Sequence, residues 1–356
     1  MIIEWEGSKL MSTTVGVIGA GRIGRMHTEN LVHAVPEAFV KAIASPHLDE
    51  GWAEGLGIPI RSTDNAAVLG DPEIEAVVIA ASSGLHIELI RRAAEAGKHI
   101  FCEKPVAFEP GPIEEILRIA ADAGIQLQVG FNRRFDPSLL KASEAVLRGE
   151  IGNVHTIRVT NRDPTPPDID FVKRSGGLFF DFTVHDFDTV RFLSGSEIVE
   201  LFAVGEVLID PRIGAAGDID TAVITLRLAN GALAVIDNSR HAVYGQDQRF
   251  EVFGSEGSVA VDNTRATFVT TSTREGVSTE RLHGSFGDRY TEAFISELRG
   301  FLSSVRESRP VAVGAEDALA AVRAAHAARK SLAENRPIRL IEAIKTVEAV
   351  GAGSSQ

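Results

Sequence analysis

Between residue 13 and about residue 131 the chain alternates two kinds of segment. Short apolar runs (Thr13–Ile18, Phe39–Ala44, Ile74–Ala81, His99–Cys102 and Gln126–Phe131) are separated by stretches in which apolar residues recur at helical spacing. Ile74–Ala81 is apolar almost without interruption, the pattern of a strand buried on both faces of a parallel sheet. Met26, Leu31 and Ala34 continue the first helical stretch. A second runs from Ser82-Ser83, either of which suits an N-cap, to Gly97, and a third covers 112–123 and stops at Gly124. Strand–helix alternation of this kind predicts a doubly wound parallel sheet.

After about residue 135 the pattern changes. A helix at 137–148 precedes the alternating strand Val154–Thr160 and a polar, proline-rich loop, Asn161–Asp168, which reads equally as a stiff linker or as a substrate wall. Ser175-Gly176-Gly177 then leads into a helical run containing Asp181 and His185. From 197 onward strands dominate. Thr221–Leu228 and Ala232–Asp237 flank Asn230-Gly231 as a hairpin, and Arg249–Phe253 and Ser258–Asp262 form another. Val269–Ser272 and Ser278–Leu282 are weaker strands, 289–308 and 315–334 are helices, and 341–349 is a short helical run. The result is an open, mainly antiparallel sheet whose alternating strands need one face covered, and a second subunit is the expected cover. The domains expected are 13–132 and 133–340, with tails at 1–12 and 350–356.

Composition narrows the class. A chain of 356 residues predicts two domains, and 44% hydrophobic with 24% charged residues is ordinary for a globular protein. A net charge of −13 argues against nucleic acid and anionic membranes as partners. The single cysteine, Cys102, sits in an apolar run and reads as a buried, inert thiol. No secretory leader and no run of about 18 apolar residues is present, so a cytoplasmic protein is expected.

The strand Thr13–Ile18 runs directly into Gly19-Ala-Gly21-Arg22-Ile23-Gly24 and a helix, the context that a dinucleotide fingerprint requires. Gly19 permits the turn, Gly21 lets the backbone approach a pyrophosphate, and Gly24 allows close packing. The helix N-terminus supplies N–H groups and a positive dipole end. After the second strand, where NAD-binding versions place an acid for the ribose 2′-hydroxyl, stand Ser45, Pro46 and His47. With Arg22 nearby this favours NADP; the alternative is that Asp49 or a main-chain group serves the ribose and NAD is used. The strand ending at Cys102 delivers Glu103-Lys104-Pro105 to the sheet edge where ligands bind. Asp181 and His185, four apart on an expected helix, form a carboxylate–imidazole pair suited to general-base work. Asp186 and Asp188 lie beside them, but no further His stands at zinc spacing, and no metal is expected.

Gly19-x-Gly21-x-x-Gly24, Glu103-Lys104-Pro105, and Gly176-Gly177 leading to Asp181-x-x-x-His185-Asp186 together resemble the Gfo/Idh/MocA oxidoreductase family over about residues 13–340. Arg162-Asp-Pro-x-Pro-Pro and Ala242-Val-Tyr244-Gly-x-Asp-Gln-Arg249 point toward its inositol 2-dehydrogenase branch. The resemblance implies a Rossmann domain, a C-terminal α/β domain with an open antiparallel sheet, and a homotetramer or dimer built through those sheets. It implies catalytic Lys104, Asp181 and His185, and polyol contacts from Arg133, Asn161 and Tyr244, to which the residues add Asp163. Cofactor contacts are expected from Gly19, Gly21, Arg22, Ile23, Gly24, Ser45, His47, Ser82, His86 and Glu103. Ser45 departs from the Asp of many NAD-using members, and the Ser82 loop lacks a common proline. The activity implied is hydride transfer between NADP or NAD and a secondary alcohol of a cyclic polyol or sugar. The alternatives are an NADPH-dependent sugar or keto-sugar reductase and, from another class, a dinucleotide-binding regulator.

Overall fold

The computed structural model describes residues 12–340, so the tails, apart from Ser12, and the helical run expected at 341–349 lie outside the described residues. The chain divides into two compact units.

The first unit is built on six parallel strands: β1 (Thr13–Ile18), β2 (Ala38–Ala44), β3 (Ile60–Ser62), β4 (Ala76–Ile79), β5 (His99–Cys102) and β6 (Leu127–Val129), in the order β3-β2-β1-β4-β5-β6. Every side chain of β4 is buried, as its unbroken apolar run requires of a central parallel strand. Cys102 is buried, and that burial pushes its thiol well above the usual range. β3, with only three residues and an Arg-Ser end, carries no strand periodicity and was not expected.

Residues Phe294–Ala315 also belong to this unit, so a single cut after residue 132 does not describe the division. The reason is packing. Along the Thr291–Glu307 helix, Phe294, Leu298, Phe301 and Leu302 form a buried apolar stripe, and the last three join the core with Val15, Val17, Ile43, Val78 and Phe101.

The second unit holds a seven-stranded sheet: β7 (Val154–Arg162), β8 (Ile198–Glu206), β9 (Thr221–Leu228), β10 (Leu233–Ser239), β11 (Asp247–Gly254), β12 (Ser258–Val261) and, beyond β13 (Thr270–Ser272) and β14 (Val277–Thr279), β15 (Ile338–Arg339). The order is β12-β11-β7-β10-β9-β8-β15. The neighbours are antiparallel except β7 and β10, whose parallel pairing sets Asn161 beside Asn238. β9 and β10 close through Ala229-Asn230-Gly231, with Gly231 at φ +91°, where a side chain would be strained. The expected weak strands form a separate two-stranded sheet, β13 and β14. Strict alternation buries Ala222, Ile224, Leu226 and Leu228 of β9 on one face, while Val223, Thr225 and Arg227 point to the other. The Val184–Ser194 helix packs against β7 and the Pro137–Leu147 helix. No helix among the described residues is long and apolar enough to cross a membrane.

Candidate active site

In the first unit the glycine loop divides its three glycines by cause. A Cβ on Gly19, which has φ +105°, would lie 2.4 Å from the Ala80 carbonyl oxygen, and one on Gly24 would lie 2.1 Å from that of Gly19. Those two positions are glycine because backbone presses on backbone. A Cβ on Gly21 would meet nothing within 4 Å. The chain has left open the space in front of the Arg22–Ala34 helix, whose first turn has no side-chain cap and no acidic residue. Uncapped N–H groups at a positive helix end, with open room before them, fit a dinucleotide pyrophosphate.

Beyond β2, Ser45 is buried and His47 is exposed. Asp49 is otherwise engaged: its carboxylate accepts the Trp52 N–H at 3.1 Å as a helix cap and an Arg25 guanidinium bond at 3.1 Å. The Trp52 N–H first, then Arg25, hold its carboxyl below the ordinary range.

In the second unit Asp181 does not lie on an α-helix. Phe179–Thr183 is a π turn, and the α-helix begins at Val184. Asp181 thus stands on the widened turn and His185 on the α-helix that follows it; such bulges recur at functional sites. The turn is wedged in place from behind. Gly176 and Gly177 have φ of +83° and +84°, and Cβ atoms there would come within 2.8 Å of the Phe108 ring and 2.7 Å of the Asp218 carboxylate. The glycine pair is therefore a close approach of protein to protein. His185 stands in the first turn of the Val184–Ser194 helix, edge-on to Phe131 with ring centroids 5.8 Å apart. A carboxylate thus stands on the turn before this imidazole.

Residues 13–131 match an oxidoreductase family with an NAD-binding Rossmann fold, and residues 139–260 match the GFO/IDH/MocA C-terminal domain. The chain belongs to the Gfo/Idh/MocA oxidoreductase family. It is 45% identical over 327 residues to the uncharacterized oxidoreductase YrbE of Bacillus subtilis, covering 91% of this chain and 96% of that one. It is 44% identical over 332 residues to the myo-inositol 2-dehydrogenase of Thermotoga maritima, covering 93% and 99%. The crystal structure of scyllo-inositol dehydrogenase from Lactobacillus casei with bound NAD(H) and scyllo-inositol matches with a TM-score of 0.87 at 30% identity, covering 93% of this chain and 99% of that one.

Within this Gfo/Idh/MocA chain several expected contacts have other employment. Both His86 ring nitrogens lie 3.0 Å from main-chain carbonyls, of Pro105 and Ala81, and burial lowers the ring's pKa. The His86 ring thus lies between the Pro105 and Ala81 carbonyls, and the nitrogen that carries the proton donates to one of them. Glu103 turns inward, 2.7 Å from His27 Nε2, and accepts the Lys104 N–H at 3.1 Å. The Ser82 side chain makes no cap bond, and the helix proper begins at His86.

Asn161 is fully buried: its amide donates to both Asp186 oxygens at 3.1 and 3.0 Å, and its carbonyl accepts from Gln248 at 2.8 Å. It belongs to the hydrogen-bond network around Asp186. Arg133 is buried on Asp186, and Asn238 donates to the same carboxylate at 2.8 Å. Arg134 forks onto Asp188 at 2.9 and 2.6 Å. Asp186 and Asp188 thus have guanidinium groups as counter-ions. Asp163 accepts from Gln246 at 2.8 Å, and burial raises its carboxyl. The Tyr244 hydroxyl accepts from Arg162 at 3.0 Å and donates to Asp247 at 2.8 Å.

Sequence reasoning missed Arg240. Its side chain is 1% exposed; one terminal nitrogen donates to Asp181 at 3.4 Å, and the other stands 3.6 Å from Asp218. The available signal was the polar run Asp237-Asn-Ser-Arg240, which ends an otherwise apolar strand.

Proposed function

We propose that this chain is an inositol 2-dehydrogenase, oxidising a secondary hydroxyl of a cyclic polyol to the ketone with a nicotinamide dinucleotide. The observation that carries the reading is its 44% identity, across 93% of its length, to a protein named myo-inositol 2-dehydrogenase. Its own Lys104, Asp181 and His185 supply the groups the chemistry needs. Alcohol oxidation must remove a hydride from carbon and a proton from oxygen. The bound nicotinamide supplies the hydride acceptor. His185 takes the hydroxyl proton as general base, and Asp181, beside Arg240, supports the imidazolium that forms. The Lys104 ammonium donates to the reacting oxygen as negative charge develops there. Arg133, Asp163 and Tyr244 are the remaining candidates for orienting the ring hydroxyls.

Among cofactors we infer that NADP is used at least as well as NAD. Ser45 puts no carboxylate where a 2′-phosphate would lie, Arg22 is exposed in the glycine loop, and Asp49 is committed to its helix cap. The protein works in the cytoplasm, where a single buried thiol meets no oxidising pressure. Val204, Val223, Leu233 and Phe253 fall on one face of the second unit's sheet by register, and all are exposed. That face is the surface through which a homotetramer or dimer assembles, measurable by light scattering. The deciding assay is absorbance of the reduced nicotinamide, with NAD and NADP in parallel, against myo-inositol, scyllo-inositol and common sugars. Turnover of an inositol supports the reading. Turnover confined to sugars with NADPH would replace it by the keto-sugar reductase that Ser45 also suits.

A further inference from the structure

Inside the first unit three titratable side chains meet at a place the proposed chemistry does not use. His27 comes from the Arg22–Ala34 helix, Glu103 follows β5, and Glu297 comes from the Thr291–Glu307 helix; one ligand-type atom from each lies within 4.8 Å of the other two. His27 and Glu297 are 0% exposed and Glu103 is 9% exposed. Their neighbours are apolar: the Phe101 and Phe294 rings stand edge-on to His27 at 5.2 and 5.8 Å.

The two carboxylates are treated differently. Glu103 has two donors, since it lies 2.7 Å from His27 Nε2 on one oxygen and accepts the Lys104 N–H on the other. Among the described residues neither side-chain oxygen of Glu297 has a hydrogen-bond partner, while its main-chain carbonyl accepts from Gln128 at 2.9 Å. An ionised carboxylate buried with no donor and no cation is far too costly to persist, so such a group keeps its proton. A metal is the other way to satisfy this set. Two ligand atoms on one zinc ion would stand roughly 3.3 Å apart at Zn–N and Zn–O distances of about 2.0–2.1 Å. His27 and Glu103 instead make a hydrogen bond at 2.7 Å.

We propose that Glu297 is a positioning residue: a carboxylic acid that holds its proton at neutral pH and so leaves Glu103 as the one anion anchoring His27 and the Lys104 backbone. Its importance for turnover rests on the reading of Lys104 given above. Its protonation does not. Burial, reinforced by the Glu103 charge, pushes the Glu297 carboxyl well above the usual range. The charged or titratable groups facing the cluster are His27, Glu103 and Glu297 themselves; His86 and Cys102 feel the Glu103 charge from neighbouring segments. Were Glu297 to ionise, two anions would face each other in an apolar pocket, and the strand end that presents Lys104 would lose its anchor.

The test compares thermal unfolding of the full chain and Glu297→Gln from pH 5 to pH 8.5. The folded acid titrates above its unfolded value, so its stabilising contribution is complete below about pH 4.5 and is lost as pH rises toward the folded pKa. The amide does not titrate. The Tm of Glu297→Gln minus that of wild type therefore grows with pH, by about 2–4 °C or more over the range. A pH-independent offset overturns the proposal. So does a Tm rise on adding zinc or magnesium that wild type shows and the amide variant lacks, because that marks a cation site. Carbon-13 NMR of glutamate-labelled wild type needs no variant: one carboxyl still protonated at pH 7 supports the proposal, and a fully ionised glutamate spectrum overturns it. In kinetics, Glu297→Gln keeps kcat at pH 7 and moves the alkaline limb of kcat/KM upward. An unmoved limb in an active enzyme removes the positioning role. An enzyme inactive on every inositol leaves the unfolding and NMR arms to decide, which separates this failure from failure of the proposed function.

Discussion

The two units bury acids and satisfy them in opposite ways. In the second unit Asp136, Asp186 and Asp188 each take a guanidinium, from Arg289, Arg133 and Arg134, and Asn161 and Asn238 complete the shell of Asp186. In the first unit Glu103 and Glu297 share their pocket with a histidine, and only Glu103 is hydrogen-bonded. Fully paired charges fix geometry. Asp186 and Asp188 follow His185 on the same helix, so the network that clamps them also sets the helix on which the proposed base stands. The first unit keeps its donors for something else: its helix N-terminus is uncapped and the space before Gly21 is open. One unit uses buried charge for rigidity, and the other leaves backbone polarity for a ligand.

The same chemical change should break that comparison most sharply. Asp186→Asn strips the counter-ion from buried Arg133 and puts an NH2 donor among the donors of Arg133, Asn161 and Asn238. The expected loss is about 3–5 kcal/mol in denaturant unfolding, the usual cost of breaking a buried pair from one side. Glu297→Gln, also acid to amide in a buried site, should cost almost nothing at pH 6. Equal losses at the two sites would mean that Glu297 is ionised and paired after all. Next in size is His185→Ala. Turnover should fall by about 10²–10⁴-fold, the range for a lost general base, while cofactor binding and Tm change little. If Tm falls as it does for Asp186→Asn, His185 belongs to the frame and not to the chemistry. Smaller again is Ser45→Asp. A carboxylate set against a 2′-phosphate should lower kcat/KM with NADP by about a hundredfold while sparing NAD. Unchanged use of NADP would show that the 2′-phosphate lies elsewhere.

What could be read from the sequence was local. Gly19, Gly21 and Gly24 were legible because a strand, a loop and a helix within a dozen residues define their roles. The β9–β10 hairpin was legible because its turn residues are adjacent. What escaped depends on distant pairing. Arg240 meets Asp181 across 59 residues and Asn238 meets Asp186 across 52, and both contacts depend on how the turn and helix that carry the acids pack against the end of β10, which no periodicity announces. The partners of Asn161 escape for a like reason: a polar residue at a strand end does not announce Asp186 and Gln248. The Thr291–Glu307 helix was visible as a helix, but its apolar stripe does not say which sheet it covers. Phe-Phe-Asp-Phe-Thr carries nothing that separates a π turn from an α turn, so the element on which Asp181 stands was not legible.

The finest test of the contrast concerns Asp49, an acid exposed at the edge of the first unit. If it served the cofactor ribose, the chain would be an NAD enzyme with a displaced acid, and Ser45 would mean nothing. Its carboxylate is instead bound to the Trp52 N–H and to Arg25, which places it in the architecture of the Glu50–Gly55 helix. Asparagine caps helices as well as aspartate does. Asp49→Asn should therefore keep the cap, lose only the exposed Arg25 pair, and leave the ratio of NAD to NADP turnover where it was. The sign of its pH effect is also fixed. A carboxyl held below its unfolded value stabilises above that value and loses the contribution as pH falls, so wild type and Asp49→Asn should converge in Tm toward pH 3. A change in cofactor ratio with no convergence would move Asp49 from the helix to the ribose.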